Sequence, residues 1–225
     1  MSIDEQRGLV FLPTSSPSPD FYGGLRPGAN RHADSVVALR IKDGSLAWAF
    51  QIVKHDVWDY DVPAQPTLAR IDVDGARRDV VIQATKQGLV FVLDRDTGSP
   101  VFPIEERAVP QGGVPGEMLS ATQTFPADLP ALVPSQLRPI DAFGSTPFDR
   151  NACRERIAAL RSDGPYTPPS TQGTVLFPLL RRGFATRKLR AAGATRARMR
   201  AAPLGWGWVS HRSRLNPSPS LPPVR

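Results

Sequence analysis

The chain has 225 residues, of which 40% are hydrophobic and 22% are charged, as in an ordinary globular protein. Its single cysteine excludes an intrachain disulfide, and its longest apolar runs are strand-sized and too short to span a bilayer. The net charge of +7 is uneven: residues 1–180 carry 17 Lys and Arg against 21 Asp and Glu, whereas residues 181–225 carry 11 basic residues and no acidic one. The basic character therefore belongs to the C-terminal segment.

The first half of the chain is predicted to be β-structure, because short apolar or alternating runs are separated by turn residues. Asp43-Gly44 predicts a hairpin turn. The clearest hairpin has Lys86-Gln87-Gly88 at its tip, between two arms rich in β-branched residues. The predicted strands cover residues 8–13, 35–40, 45–51, 80–85 and 89–93.

A weak internal repeat accompanies these strands. Each copy has an apolar strand end, a turn that ends in glycine and then an aromatic residue, as successive propeller blades do, although two unrelated hairpins can match as loosely. The first copy is Ala38-Leu39, Asp43-Gly44 and Trp48, and the second is Val92-Leu93, Thr97-Gly98 and Phe102.

One short helix is predicted near residues 147–162, after a long proline-rich connection over residues 103–145 that shows little periodicity. Thr146 is a suitable N-cap, Pro147 stands at the first helical position, and Asp149 completes a capping box. The predicted inward face and the stop signal are Cys153, Ile157 and Leu160, followed by Gly164.

Residues 178–225 form a basic segment that we predict to be disordered, which divides the chain into 1–177 and 178–225. Of residues 181–225, 10 are Arg, 7 are Ala and 5 are Pro, a composition that cannot easily bury a core. One interpretation is a reading-frame shift in GC-rich DNA. The other is a genuine basic arm that binds nucleic acid or an acidic membrane surface.

The densest group of chemically active residues lies in segment 54–66. His55, Asp56, Asp59 and Asp61 stand together with two aromatic residues within seven positions. Neighbouring buried carboxylates repel one another unless a proton or a cation separates them, so the group suits a general base beside a metal ion. An acidic surface loop is the plainer interpretation, and composition alone favours it.

Several strings, in this order, resemble the membrane-bound PQQ-dependent glucose, quinate and polyol dehydrogenases over about residues 8–175. The match is specific because the Trp-Asp-Tyr-Asp and Thr-Lys-Gln-Gly strings are both present at family-like spacing. The strings are Asp20-Phe21-Tyr22-Gly23-Gly24, Asp34 to Leu39, His55 to Pro66, Thr85-Lys86-Gln87-Gly88, Phe91 to Arg95, and Thr146 to Arg150 with Cys153-Arg154.

The resemblance implies an all-β fold that is part of an eight-bladed propeller, with PQQ near its axis beside a calcium or magnesium ion. Asp59 is similar to the family's aspartate that accepts the substrate hydroxyl proton, and beside a cation it is expected to keep a low pKa. Lys86 looks like the lysine that bonds the quinone oxygens. Asp61, expected on the same face of an extended strand as Asp59, is predicted to support Asp59 or to ligate the cation, and Ser16 is the other predicted cation ligand.

The same resemblance implies a sugar, quinate or polyol substrate, ubiquinone as electron acceptor, membrane association and the periplasmic side of the inner membrane. No specific nucleic acid is expected as a partner. The first seven residues lack the apolar core of a signal peptide, so we expect neither a signal nor a transmembrane segment in this chain.

Three departures from the family pattern bear on activity. Ser16 stands where the family has an asparagine, Lys54 replaces the first of two histidines, and the match ends near residues 173–178. About three blades' worth of sequence leaves open sheet edges, so we expect a fragment that is inactive alone. The alternative is a non-catalytic remnant whose basic tail binds nucleic acid or acidic surfaces.

Overall fold

The computed structural model describes residues 1–177. The predicted basic tail, its disorder and its two interpretations lie outside the described residues, and the predicted domain boundary stays a prediction. Within residues 1–177 the protein is mostly β-sheet with one short α-helix, as predicted.

The first sheet has four antiparallel strands that follow one another in chain order. Phe11 lies opposite Ala38, and Ala38 lies opposite Trp48, so buried side chains line one face of the sheet. Three of the four strands coincide with predicted ones. The strands are β1 (Ser2–Asp4), β2 (Leu9–Pro13), β3 (Ser35–Arg40) and β4 (Leu46–Gln51).

The second sheet contains the predicted hairpin. Its β6 and β7 pair antiparallel, and residues 85–89 connect them, with the Thr85 N–H donating to the Leu89 carbonyl at 3.0 Å. The Val101 N–H donates to the Val92 carbonyl at 2.8 Å, which adds a short fourth segment beside β7. The strands are β5 (Thr67–Val73), β6 (Ala76–Ala84) and β7 (Val90–Asp94).

The internal repeat is present at two turns. The N–H of Gly44 donates to the Arg40 carbonyl at 2.8 Å, and that of Gly98 donates to the Asp94 carbonyl at 2.9 Å. Both glycines have positive φ, 71° and 73°, which a residue with a Cβ adopts only at a cost. The two sheets therefore share one turn geometry at corresponding positions.

The proline-rich connection over residues 103–145, in which no strand was predicted, contains regular structure. It contains a third sheet of two antiparallel strands, β8 (Ile104–Ala108) and β9 (Thr122–Pro126). Every residue of β8 is exposed, so this strand lacks the alternation of apolar and polar residues that reveals a strand in sequence.

The helix α1 (Pro147–Ala159) begins as predicted and ends earlier than predicted. Thr146 and Asp149 form the reciprocal capping box. Leu160 is extended, and the Arg161 N–H then donates to the Gly173 carbonyl at 3.1 Å, which takes the backbone out of the helical path. None of the helices within residues 1–177 has the length and apolar character needed to cross a membrane.

The largest core cluster combines the first sheet, the β6–β7 hairpin and the irregular segment 52–62. Phe50 and Phe91 join the two sheets, with ring centroids 5.5 Å apart. Six residues of segment 52–62 belong to this core, namely Ile52, Val53, Val57, Trp58, Tyr60 and Val62. The acidic segment is therefore built into the core and is not a surface loop.

Candidate functional site around Asp59 and Lys86

The structure brings Asp59, Asp61 and Lys86 together. The Lys86 Nζ donates to the backbone carbonyl of Asp59 at 2.6 Å, to Asp59 Oδ2 at 3.1 Å and to Asp61 Oδ2 at 2.9 Å. An ammonium group has three N–H donors, so these three acceptors use all of them. The side chain of Lys86 is 16% exposed and that of Asp59 is 38% exposed, so the cluster opens to solvent on the side of Asp59.

The backbone at Asp59 differs from the extended strand that we predicted. Its φ is +57°, in the left-handed region that residues with a Cβ seldom adopt. Asp59 and Asp61 meet at Lys86 because the chain turns at Asp59, and not because they share a strand face.

Trp58 and Tyr60 fix the two flanks of this turn. Both are buried, with stacked rings 5.9 Å apart, and Tyr166 packs edge-on against each of them. The Trp58 Nε1 donates to the Thr167 carbonyl at 2.7 Å, and the Tyr60 hydroxyl donates to the Pro165 carbonyl. Trp58 therefore packs inward, while the side chain between these two rings faces outward.

Asp59 and Asp61 have pKa values displaced in opposite directions. Burial raises the pKa of Asp59, and the Asp61 carboxylate adds to the rise, so that together they outweigh Lys86. Burial also opposes ionisation of Asp61, but hydrogen bonds from the Ser16 N–H and Lys86 outweigh it and lower its pKa.

Lys86 stays charged in this arrangement. Burial disfavours its ammonium form, but the hydrogen bonds and charges of Asp61 and Asp59 outweigh that cost and raise its pKa. The site therefore contains the ammonium of Lys86, the ionised carboxylate of Asp61 and the carboxyl of Asp59, which is more basic than an ordinary aspartate.

Ser16 lies beside Asp61 but engages two other carboxyls. Its N–H donates to Asp61 Oδ1 at 2.8 Å, while its hydroxyl lies 3.2 Å from Asp34 Oδ1 and donates to Asp56. The described residues contain no group of three or more His, Cys, Asp or Glu side chains arranged to hold a metal ion.

Asp34 is the buried residue of this site that sequence reasoning missed. It is 0% exposed, and its Oδ2 has no hydrogen-bond partner among the described residues. Burial raises its pKa to about 9, and the charges of Asp56 and Asp61 add to the rise. It lies immediately before β3, far along the chain from the acidic segment, so no spacing pattern connects them.

His55 serves the structure of the loops around the site. Its Nδ1 lies 2.7 Å from the Gly28 carbonyl and its Nε2 lies 2.7 Å from Glu117 Oε1, so both ring nitrogens are engaged. The Gly23 N–H donates to the other Glu117 oxygen at 2.6 Å. A Cβ at Gly23 would lie 2.2 Å from His55 Nε2, which explains glycine at that position.

Comparison with known proteins identifies the family. Residues 1–187 match the family model described as PQQ: Glucose/ethanol/alcohol dehydrogenase, beta-propeller domain. The chain is 44% identical over 178 residues to a quinoprotein glucose dehydrogenase of Escherichia coli (strain K12), an alignment that covers 79% of this chain and 22% of the relative.

Two further relatives carry other substrates in their names. The chain is 42% identical over 173 residues to the glycerol dehydrogenase large subunit of Gluconobacter thailandicus, covering 76% of the chain and 23% of the relative. It is 38% identical over 180 residues to a quinate/shikimate dehydrogenase (quinone) of Acinetobacter baylyi (strain ATCC 33305 / BD413 / ADP1), covering 79% and 22%. The chain therefore spans 22% to 23% of the length of these relatives. The mostly β structure agrees with this match, and the chain belongs to the PQQ-dependent dehydrogenase family as a partial β-propeller.

Proposed function

We propose that this chain is part of a PQQ-dependent dehydrogenase that oxidises a hydroxyl group of a sugar or polyol. Asp59 accepts the hydroxyl proton, and Lys86 binds the cofactor. The observation that supports this proposal is the contact of one ammonium with both Asp59 and Asp61 at a solvent-facing edge of the core.

The residues present suit a quinone cofactor. When bound, PQQ accepts a hydride at a quinone carbon. An ammonium group is a suitable donor to a quinone oxygen, on which negative charge develops. Since all three Lys86 donors are engaged, such an oxygen would have to replace one of the present acceptors. Gln87, the next residue, has a buried side-chain amide whose N and O find no partner among the described residues.

Asp59 suits the role of proton acceptor. Its raised pKa makes it a stronger base than an ordinary aspartate, which favours removal of a hydroxyl proton. Its exposed carboxyl is open to a substrate, whereas Lys86 and the buried flanks of the turn limit its movement.

The described residues do not form a complete site for calcium or magnesium. Both oxygens of Asp61 are engaged, by the Ser16 N–H and by Lys86, and the Ser16 hydroxyl is shared between Asp34 and Asp56. Hard divalent cations require six or more oxygen ligands. Asp61 and Ser16 as cation ligands stay predictions, and no step in the proposed reaction passes through the cation.

The relatives are named for glucose, glycerol and quinate or shikimate, and we propose the same classes of substrate here. Electron transfer to ubiquinone and a periplasmic, membrane-associated setting are further proposals that rest on the family resemblance. We also expect little turnover by this chain alone, because it spans less than a quarter of these relatives.

The test is PQQ binding by the purified chain, measured through quenching of tryptophan fluorescence. We expect saturable quenching, and Lys86→Ala is expected to weaken affinity by about tenfold or more, as loss of a charged hydrogen bond does. Lys42→Ala, in the exposed turn between β3 and β4, is the matched control and leaves affinity unchanged. Absence of saturable quenching, or equal affinity of the Lys86 and Lys42 variants, contradicts the proposal.

Dye-coupled assays with glucose, glycerol or quinate then test turnover. Reduction at background rates agrees with the expectation for this chain alone. Robust reduction that Asp59→Asn abolishes contradicts the expected inactivity but supports the role of Asp59.

A further inference from the structure

A single buried carboxylate holds the turn that presents Asp59. Asp56 Oδ1 accepts the Trp58 N–H at 2.8 Å, and Asp56 Oδ2 accepts the Tyr60 N–H at 2.8 Å. The Ser16 hydroxyl donates to the same Oδ2. The two N–H groups are those of the residues immediately before and after Asp59, so one side chain fixes the peptide on both sides of the proposed base.

The conformation of Asp59 requires such support. A residue with a Cβ in the left-handed region is disfavoured and persists where its surroundings determine it. Lys86 supports the turn from the opposite side through its 2.6 Å hydrogen bond to the Asp59 carbonyl. Asp56 and Lys86 therefore hold the same turn from inside and outside.

The backbone of Asp56 is itself held. Arg26 donates to the Asp56 carbonyl and, at 2.9 Å, to the Pro19 carbonyl, which ties the preceding loop to this position. Asp56 is 0% exposed, so water does not compete for its oxygens. A carboxylate can accept all three side-chain and backbone donors, whereas an asparagine offers one acceptor oxygen in place of two.

We propose that Asp56 is a positioning residue, which sets the direction of the Asp59 carboxyl and keeps it in contact with Lys86. Its functional meaning rests on the proposed function, whereas its effect on the turn can be measured without cofactor. Loss of Asp56 frees the turn, and Lys86 then loses both of its Asp59 acceptors.

The cofactor-free test measures acetylation of Lys86 by acetic anhydride, quantified by mass spectrometry under native conditions and expressed relative to exposed Lys42. Asp56→Ala is expected to raise the Lys86 rate by about tenfold, the scale set by hydrogen bonds to a charged group. Asp56→Asn keeps one acceptor and is expected to give an intermediate rate. This partial rescue separates turn positioning from simple filling of space.

Asp4→Asn is the control for general destabilisation, because Asp4 lies in an ion-pair network apart from this turn. It is expected to lower stability without changing the relative Lys86 rate. If Asp56→Ala fails to fold, Ser16→Ala replaces it. That variant removes one of the three donors to Asp56, and about a threefold rise in the Lys86 rate is expected.

PQQ affinity, measured by fluorescence quenching, connects the turn to function. A raised Lys86 rate with weaker PQQ binding in folded Asp56→Ala supports the proposal, because Lys86 then gains free donors but loses the contact with Asp59 that orients it. An unchanged Lys86 rate in folded Asp56→Ala and Ser16→Ala overturns it. If the parent chain does not bind PQQ but Asp56→Ala still raises the Lys86 rate, the role of Asp56 in the turn is supported and the proposed function is contradicted. Failure of the Asp56 proposal and failure of the proposed function therefore give different results.

Discussion

Where the first two sheets meet, aspartates are paired with arginines, whereas around Ser16 the aspartates face mainly one another. At the sheet junction, Asp4 accepts from Arg7 at 3.1 Å and from Arg95 at 3.0 Å, and Asp79 accepts from Arg7 at 2.8 Å. Burial opposes ionisation of Asp4, but these hydrogen bonds outweigh it and lower its pKa. The hydrogen bonds from Arg70 and Arg7 likewise hold the pKa of Asp79 far below its usual value.

Around Ser16 the pKa values of buried aspartates are displaced in the opposite direction. Burial raises the pKa of Asp34 and Asp56, and neighbouring carboxylates add to the rise. The junction stabilises the packing of two sheets, whereas in the Ser16 group, which consists of Asp34 and Asp56 around the Ser16 hydroxyl, burial opposes ionisation of both carboxyls. Features that disfavour folding yet persist are typical of functional sites.

Breaking the sheet junction is expected to have the largest effect. Asp4→Asn leaves the guanidinium groups of Arg7 and Arg95 without their shared carboxylate, and Arg95 is largely buried. We expect a loss of about 3 kcal/mol in the free energy of unfolding, as for removal of one partner of a buried ion pair. Urea unfolding followed by tryptophan fluorescence measures this loss.

Asp96→Asn is the matched control at the same junction. Asp96 also accepts from Arg7, at 2.7 Å, but its side chain is 59% exposed, so its loss is expected to cost about 0.5 kcal/mol or less. Equal losses for the two variants would contradict a buried inter-sheet clamp.

Replacing an aspartate of the Ser16 group is expected to raise the free energy of unfolding, whereas replacing Asp4 at the sheet junction lowers it. Asp34→Asn replaces a carboxyl of pKa about 9 by a neutral side chain that also tolerates the positive φ of this position, 45°. Since the folded pKa lies above the unfolded one of about 3.9, the stability that protonated Asp34 contributes is complete below about pH 4. It is lost as pH rises towards 9.

We therefore expect Asp34→Asn to match the parent chain near pH 4 and to be more stable than the parent at pH 8. Urea unfolding at both pH values measures the difference, and exposed Asp128→Asn provides the control without such a trend. If Asp34→Asn is instead less stable than its parent at pH 8, then favourable contacts stabilise ionised Asp34 in the folded state, and the prediction is wrong.

The secondary structure could be predicted from the sequence wherever a local pattern reveals it. Strands β2, β3, β4 and β7 were predicted almost to their ends, because they contain β-branched or aromatic residues and are bounded by turns with glycines such as Gly44 and Gly98. The capping box at Thr146 located the helix start. Exposed strand β8 has no apolar alternation, so it was missed.

The roles of Asp59 and Lys86 were predicted from family resemblance. Their contact depends on the packing of distant parts of the chain, which no local sequence pattern reveals. The extended backbone predicted at Asp59 was wrong because Asp56 captures the N–H groups of residues 58 and 60. Asp34 joins the group only through the pairing of β3 with its neighbours, and long-range pairing cannot be read from composition.

The smallest expected effect separates two roles for Asp61. If it chiefly competes for Lys86, Asp61→Asn frees one ammonium donor and removes a negative charge near an anionic cofactor. PQQ then binds about threefold tighter, and salt reduces the part of the gain that comes from charge. If Asp61 instead ligates a cation, as its predicted position beside Asp59 suggested, the same variant binds PQQ more weakly and loses any dependence on added calcium. Fluorescence titrations with and without calcium, with exposed Asp72→Asn as control, decide between the two roles. Because Lys86 has no spare donor while Asp61 holds it, tighter binding is the outcome that the observed hydrogen bonds favour.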